Sequence, residues 1–123
     1  MKYQRIGSST YVLMFVATFL LDRITKLLAL HYAYTRVDVT SFLSFVLEYN
    51  RGISWGLFDS DDSRIFCIVS CIIVAIIIGV AFYTFVCWMN HQRVFGQILV
   101  MSGALSNLVD RVIHHGVVDF IAV

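Results

Sequence analysis

Proline is missing from the sequence altogether, and charge is scarce: Asp, Glu, Lys and Arg together make up 14% of 123 residues. Without proline, long apolar runs proceed with no built-in helix break. With so little charge, a domain of this size lacks the polar surface that water demands, because 59% of its residues are hydrophobic and its mean hydropathy is +0.82. A membrane protein is the class that remains. The net charge of +1 provides no basic patch, so no nucleic-acid partner is expected. Cysteine is sparse as well. Cys67, Cys71 and Cys87 are odd in number and share one apolar run. That placement argues against a disulfide framework or a zinc site and for small buried apolar residues.

A membrane-spanning helix needs about 20 predominantly apolar residues. Three segments meet this, at about 6–30, 65–89 and 94–109. The second, from Ile65 to Met89, carries no charge, and the third is short and includes polar residues. The connection 31–64 alternates polar and apolar residues ("VDVTSFLSFVLEYNRGISWGLF"), the period of a strand or extended segment at a membrane surface. The first segment follows Lys2 and Arg5, as a secretory leader would. No small-x-small site follows it, and Asp22, Arg23 and Lys26 stand where cleavage would fall, so it is expected to be retained. The expected fold is an all-α membrane protein: one domain over 1–123, three transmembrane helices, an external, partly β loop and an external C-terminal segment 110–123.

Orientation follows the short basic flanks. Lys2 and Arg5 precede the first helix, and Arg93 lies in the second connection. The long loop holds three arginines against five acids, which leaves it at −2. The N-terminus is therefore expected in the cytoplasm, and the loop and C-terminus outside.

Helix rise turns sequence into depth. Ile6 to Asp22 and Val94 to Asp110 each span about 24 Å, so both aspartates reach a similar level near the outer edge of a hydrocarbon core about 30 Å thick. Asn107 lies one turn deeper than Asp110 on the same face, and Lys26 follows Asp22 at i+4, where the two can pair. Asn50, Arg51 and Asp119 come from external segments on that side. Ionisable groups at this depth are costly unless paired or wet, and so are functional candidates. Arg23 and Lys26 are long enough to snorkel to the interface, whereas Asn107 and Asp110 are too short to do so.

Three stretches, "LDRITK" (Leu21–Lys26), "YNRGISWGLF" (Tyr49–Phe58) and "GALSNLVDR…GVVDF" (Gly103–Phe120), in this order and spacing, resemble the lipoprotein signal peptidases, also called prolipoprotein or type II signal peptidases. The resemblance implies a four-helix aspartic endopeptidase of the bacterial inner membrane. Such an enzyme removes the signal peptide from a diacylglyceryl-modified prolipoprotein and is inhibited by globomycin. Asp119 then corresponds to one of two catalytic aspartates. Asn50, Gly52, Asn107 and Arg111 line or border the substrate site, and Asp22, Lys26 and Asp110 support it. Neither a metal nor any other cofactor is implied; the implied partners are lipidated prolipoproteins and membrane lipid.

The sequence departs from that pattern in places. Ile53 and Ser54 follow the loop glycine where two small residues are usual, and Ser102 and Ser106 replace glycines, which is expected to loosen helix packing. The phenylalanine-asparagine-x-alanine-aspartate motif that opens the family's fourth helix and carries the second catalytic aspartate does not occur in these residues. The resemblance thus implies a C-terminally truncated member, expected to be unstable or oligomeric.

Amide hydrolysis by two aspartates uses one ionised carboxylate to deprotonate water and one protonated carboxyl to donate to the scissile carbonyl. Asp110 is a poor second carboxylate because Arg111 adjoins it. His114 and His115 with Asp119 are a poor metal site, since adjacent side chains are expected to point apart. Three functions follow: a signal peptidase, an inactive remnant that binds lipidated signal peptides, or a small helical subunit handling protons through Asp22 and Asp110.

Overall fold

A computed structural model describes residues 7–32, 36–41, 43–53 and 57–122. Lys2, Arg5, the expected helix start at Ile6, and Ser54 lie outside the described residues. The chain forms α1 (Ser8–Tyr32), β1 (Val37–Thr40), β2 (Leu43–Asn50), α2 (Ser63–Met89), α3 (Phe95–His114) and β3 (Val117–Ala122).

The central helix is α3, which packs against both α1 and α2. On α1 the inward stripe runs through Tyr11, Phe15, Thr18, Asp22 and Lys26, a helical i, i+3/i+4 series. On α3 it runs through Ser102, Ser106 and Asp110, all at most 1% exposed. At one end the stripe is apolar: Tyr11 packs on Phe95 with ring centroids 5.2 Å apart, next to buried Cys87 and Val94. At the other end it is polar.

The helix α2 differs in kind. Asp62 caps it by accepting from the Arg64 N–H at 2.8 Å. Its apolar window has mean hydropathy 3.2, yet only 6% of that window is buried. Side chains such as Ile78 (64% exposed) and Phe82 (70%) face outward. Water would penalise such a surface and lipid would not. Among the described residues, this is the one helix long and apolar enough to cross a membrane by length and composition.

The three strands form an antiparallel sheet in the order β1-β2-β3. β1 and β2 lie within the connection whose alternation predicts strands. In the β2–β3 ladder Glu48 faces Asp119, Tyr49 faces Val118 and Asn50 faces Val117. The fold is therefore mainly helical with a small sheet, rather than all-α. The extra strand arises because Val118 is buried (2% exposed) while its neighbour Asp119 faces outward, an alternation that the short terminal segment conceals. α3 also continues beyond the expected end near 109 to His114. Asp110 and Arg111 extend the helix because both are buried against partners instead of being solvated. His115, at φ 55°, ends the helix in the left-handed conformation, with Gly116 after it.

Candidate active site

The polar end of the α1–α3 interface is a network of four charges. Asp110, fully buried, pairs with Arg23 and, at 2.8 Å, with Lys26 Nζ. Lys26 also meets Asp22 Oδ2 at 3.0 Å and Asn107 Oδ1 at 2.6 Å. Ser106 Oγ donates to Asp22 Oδ2 at 2.5 Å, and Arg23 donates to Ser106 Oγ and to its carbonyl at 3.3 Å. Two cations balance two anions, so the buried cluster is neutral. Neutrality and full hydrogen bonding are what make buried charge tolerable.

This network reaches the strand that bears Asp119. The second oxygen of Asp110 accepts from the Val118 N–H at 3.2 Å. One carboxylate thus ties α1, α3 and β3 together one residue away from Asp119. It is fully engaged, so it is no candidate for a second reacting carboxylate.

A parallel arrangement holds the loop after β2. Asn50 closes a tight turn on itself: Oδ1 accepts from the Gly52 N–H at 2.9 Å and Nδ2 donates to the Ile53 carbonyl at 2.8 Å. Arg111, 4% exposed, donates to the Gly52 carbonyl and, at 3.0 Å, to the Arg51 carbonyl. A Cβ on Gly52 would collide with the Leu57 carbonyl oxygen and lie 2.6 Å from the Asp59 nitrogen, so no larger residue fits. The guanidinium groups of Arg51 and Arg111 lie 5.4 and 5.5 Å from the centre of the Phe66 ring on α2.

These supports enclose a cleft of about 420 Å³ lined by Asn50, Gly52, Asn107, Arg111 and Asp119, with Ile53, Ile73, Ala104 and Val117. The five residues to which the family resemblance assigns catalysis or substrate binding therefore line one cleft. Asp22, Lys26 and Asp110 stand behind the wall as supports. An ammonium group only donates, so Lys26 turns the Asn107 amide oxygen toward itself and leaves the NH₂ for an acceptor in the cleft. Asp119 is exposed on the rim.

Sequence reasoning missed four residues. Arg23 turns inward to Asp110, a choice fixed by the partner helix rather than by its own length. Ser102 and Ser106 do not loosen the interface: Thr18 donates to Ser102 at 2.7 Å, and Ser106 binds Asp22. Glu48 faces Asp119 across the ladder, a relation set by register alone. The adjacent histidines both reach one cleft. With His115 left-handed, His114 packs near Tyr49 and His115 near Phe66, and both rings line one outer cleft.

One helix apolar enough to cross a membrane, beside helices whose polar groups gather at one end, defines the class, a membrane protein. Two solved bacterial membrane enzymes share this fold, with TM-scores of 0.73 and 0.65 at 22% and 23% identity; each match covers 98% of this chain, and 74% and 78% of theirs. Residues 14–123 match the family described as Signal peptidase (SPase) II, and the chain belongs to that family. It is 39% identical over 110 residues to the lipoprotein signal peptidase of Pelagibacter ubique, covering 86% of this chain and 65% of that protein. To the lipoprotein signal peptidase of Clostridium tetani it is 35% identical, covering 89% and 70%. The chain thus spans about two thirds of the length of these relatives.

Proposed function

We propose that the protein is an aspartic endopeptidase that removes signal peptides from diacylglyceryl-modified prolipoproteins at the outer face of the bacterial inner membrane. Family membership and the convergence of Asn50, Gly52, Asn107, Arg111 and Asp119 on one cleft support this reading. The cleft is also amphipathic. Ile73 and Ala104 form an apolar wall between α2 and α3, while the asparagines and Asp119 lie toward the sheet. A peptide carrying acyl chains has the same polarity: the chains lie along the helices in lipid, and the peptide amide meets the polar rim. In this reading α1 and α3 also span the bilayer, the charged network sits near its outer edge, and the −2 loop faces outward.

In the reaction Asp119, on β3, acts as one of two carboxylates. The ionised member takes a proton from water as the water oxygen attacks the scissile carbonyl. The protonated member donates to that carbonyl and the amine then leaves with a proton. The family's other aspartate belongs to the phenylalanine-asparagine-x-alanine-aspartate motif, which these 123 residues do not contain. Asn107 NH₂ serves as a donor to the substrate backbone. Arg111 does its part by clamping the loop rather than by touching the reacting bond.

The experiment is a prolipoprotein-cleavage assay in proteoliposomes with the full-length gene product. Asp119→Asn is expected to lower the rate by at least about 10²-fold. Because Asp119 is exposed, the melting temperature stays within a few degrees of wild type. Cleavage that persists undiminished in Asp119→Asn sinks the assignment.

A further inference from the structure

Beyond the peptidase cleft, a second and larger cavity opens at the same end of the helices. It measures about 660 Å³ and is lined by Tyr49, Arg51, Ser63, Phe66, His114 and His115. We propose that this outer cleft binds the phosphate of a phospholipid headgroup. The lining is rich in groups that donate hydrogen bonds to an oxyanion. Among the described residues, Arg51 has a buried Nε with no hydrogen-bond partner, and its Nη1 pairs with the exposed Asp61 at 3.3 Å. Each imidazole supplies an N–H in either charge state, and Ser63 supplies a hydroxyl. Among the described residues no carboxylate lines the cavity: Asp61 pairs with Arg51 from a fully exposed position, Asp59 accepts from the Arg51 backbone N–H at 3.2 Å, and Asp62 caps α2.

The residue that shapes this cleft is His115. A left-handed residue at a helix end is ordinarily glycine. Here the glycine comes one position later, and a histidine takes the uncommon conformation, with His115 near Phe66 and His114 near Tyr49 on the same cavity. Lipid, rather than free phosphate, is the source favoured by position. The cavity sits where α3 ends and where α2, the helix apolar enough to cross a membrane, begins, so it lies at the level where a lipid headgroup would meet it. The volume leaves room for the headgroup alcohol as well as the phosphate.

Arg51 also links the two clefts. Its side chain lines the outer cleft, while its carbonyl is gripped by Arg111 of the inner one. A bound phosphate would therefore hold the loop that Arg111 clamps.

The test uses full-length protein in a phosphate-free maltoside detergent, with ³¹P line broadening as the readout for three probes: dihexanoylphosphatidylglycerol, inorganic phosphate and, by competition, dihexanoylglycerol. The phospholipid is expected to bind saturably, and dihexanoylglycerol is expected not to displace it. Arg51→Gln is expected to weaken binding about tenfold, as loss of a charge-assisted donor does. Should Arg51→Gln fail to fold, His115→Asn serves in its place, since asparagine tolerates the left-handed conformation. Unchanged phospholipid binding in these variants overturns the proposal. Displacement by dihexanoylglycerol overturns it too, and inorganic phosphate binding as tightly as the lipid overturns the lipid assignment. Asp119→Asn should bind the phospholipid like wild type, so loss of peptidase activity and loss of this site are separately visible.

Discussion

Replacing Asp110 by asparagine removes the carboxylate that joins α1, α3 and β3. The wild-type network holds two cations against two anions, with Asp110 fully buried and the side chains of Arg23 and Lys26 15% and 5% exposed. Asparagine keeps the shape and an oxygen for the Val118 N–H, but leaves the cluster with one positive charge uncompensated. Asp22 cannot make up the difference, since it already serves Lys26 and Ser106. Breaking a buried pair from one side costs about 3–5 kcal/mol. Little discount for solvent is due at these exposures. Against a total stability of about 5–15 kcal/mol, this is a large fraction, and the melting temperature should fall by roughly 10 °C or more. Removing a cation as well, in Asp110→Asn/Lys26→Met, returns the cluster to neutrality with Arg23 facing Asp22. That double variant should be more stable than the two single losses combined, by at least about 1 kcal/mol. Thermal unfolding in detergent, followed by far-ultraviolet circular dichroism, measures all three. An Asp110→Asn melting temperature within about 3 °C of wild type, or strictly additive losses, would refute the reasoning.

Gly52→Ala should lower prolipoprotein cleavage by at least about tenfold and stability by about 1–3 kcal/mol, because the new Cβ meets backbone atoms that cannot step aside; unaltered kinetics would show that the loop yields. Glu48→Gln should raise the melting temperature slightly, by about 1–2 °C, since it relieves like charges placed opposite one another in the β2–β3 ladder. A fall in melting temperature would mean that Glu48 has a favourable partner that outweighs its repulsion from Asp119.

Much of the site was legible because helix geometry is regular. A constant rise per residue places Asp22 and Asp110 at one level, and i+4 spacing pairs Lys26 with Asp22, as the 3.0 Å contact has it. The strand character of the 31–64 connection likewise follows from its alternation. What was not legible depends on partners distant in sequence. Whether Arg23 snorkels or turns inward is decided by Asp110, more than 80 residues later. The length of α3 depends on burial of Asp110 and Arg111 against α1, the Asn50–Gly52 turn, Val118 and Phe66, all distant in sequence or on other elements. The two histidines share a cavity because of a single backbone torsion at His115, and side-chain type carries little information about that. Glu48 meets Asp119 by register, which a sheet's pairing sets and neither strand's sequence announces.

The pairing of β2 with β3 also sets an order of assembly. β2 is complete at Asn50, but its inner neighbour begins at Val117, on the far side of two long helices. During synthesis, that edge stays unpaired while α2 and α3 are made, and an unpaired edge invites improper partners. The strand carrying Asp119 is tied to the buried charges, because the Val118 N–H is received by Asp110. A chain stalled within α3 therefore holds neither β3 nor the cleft that Asp119 lines.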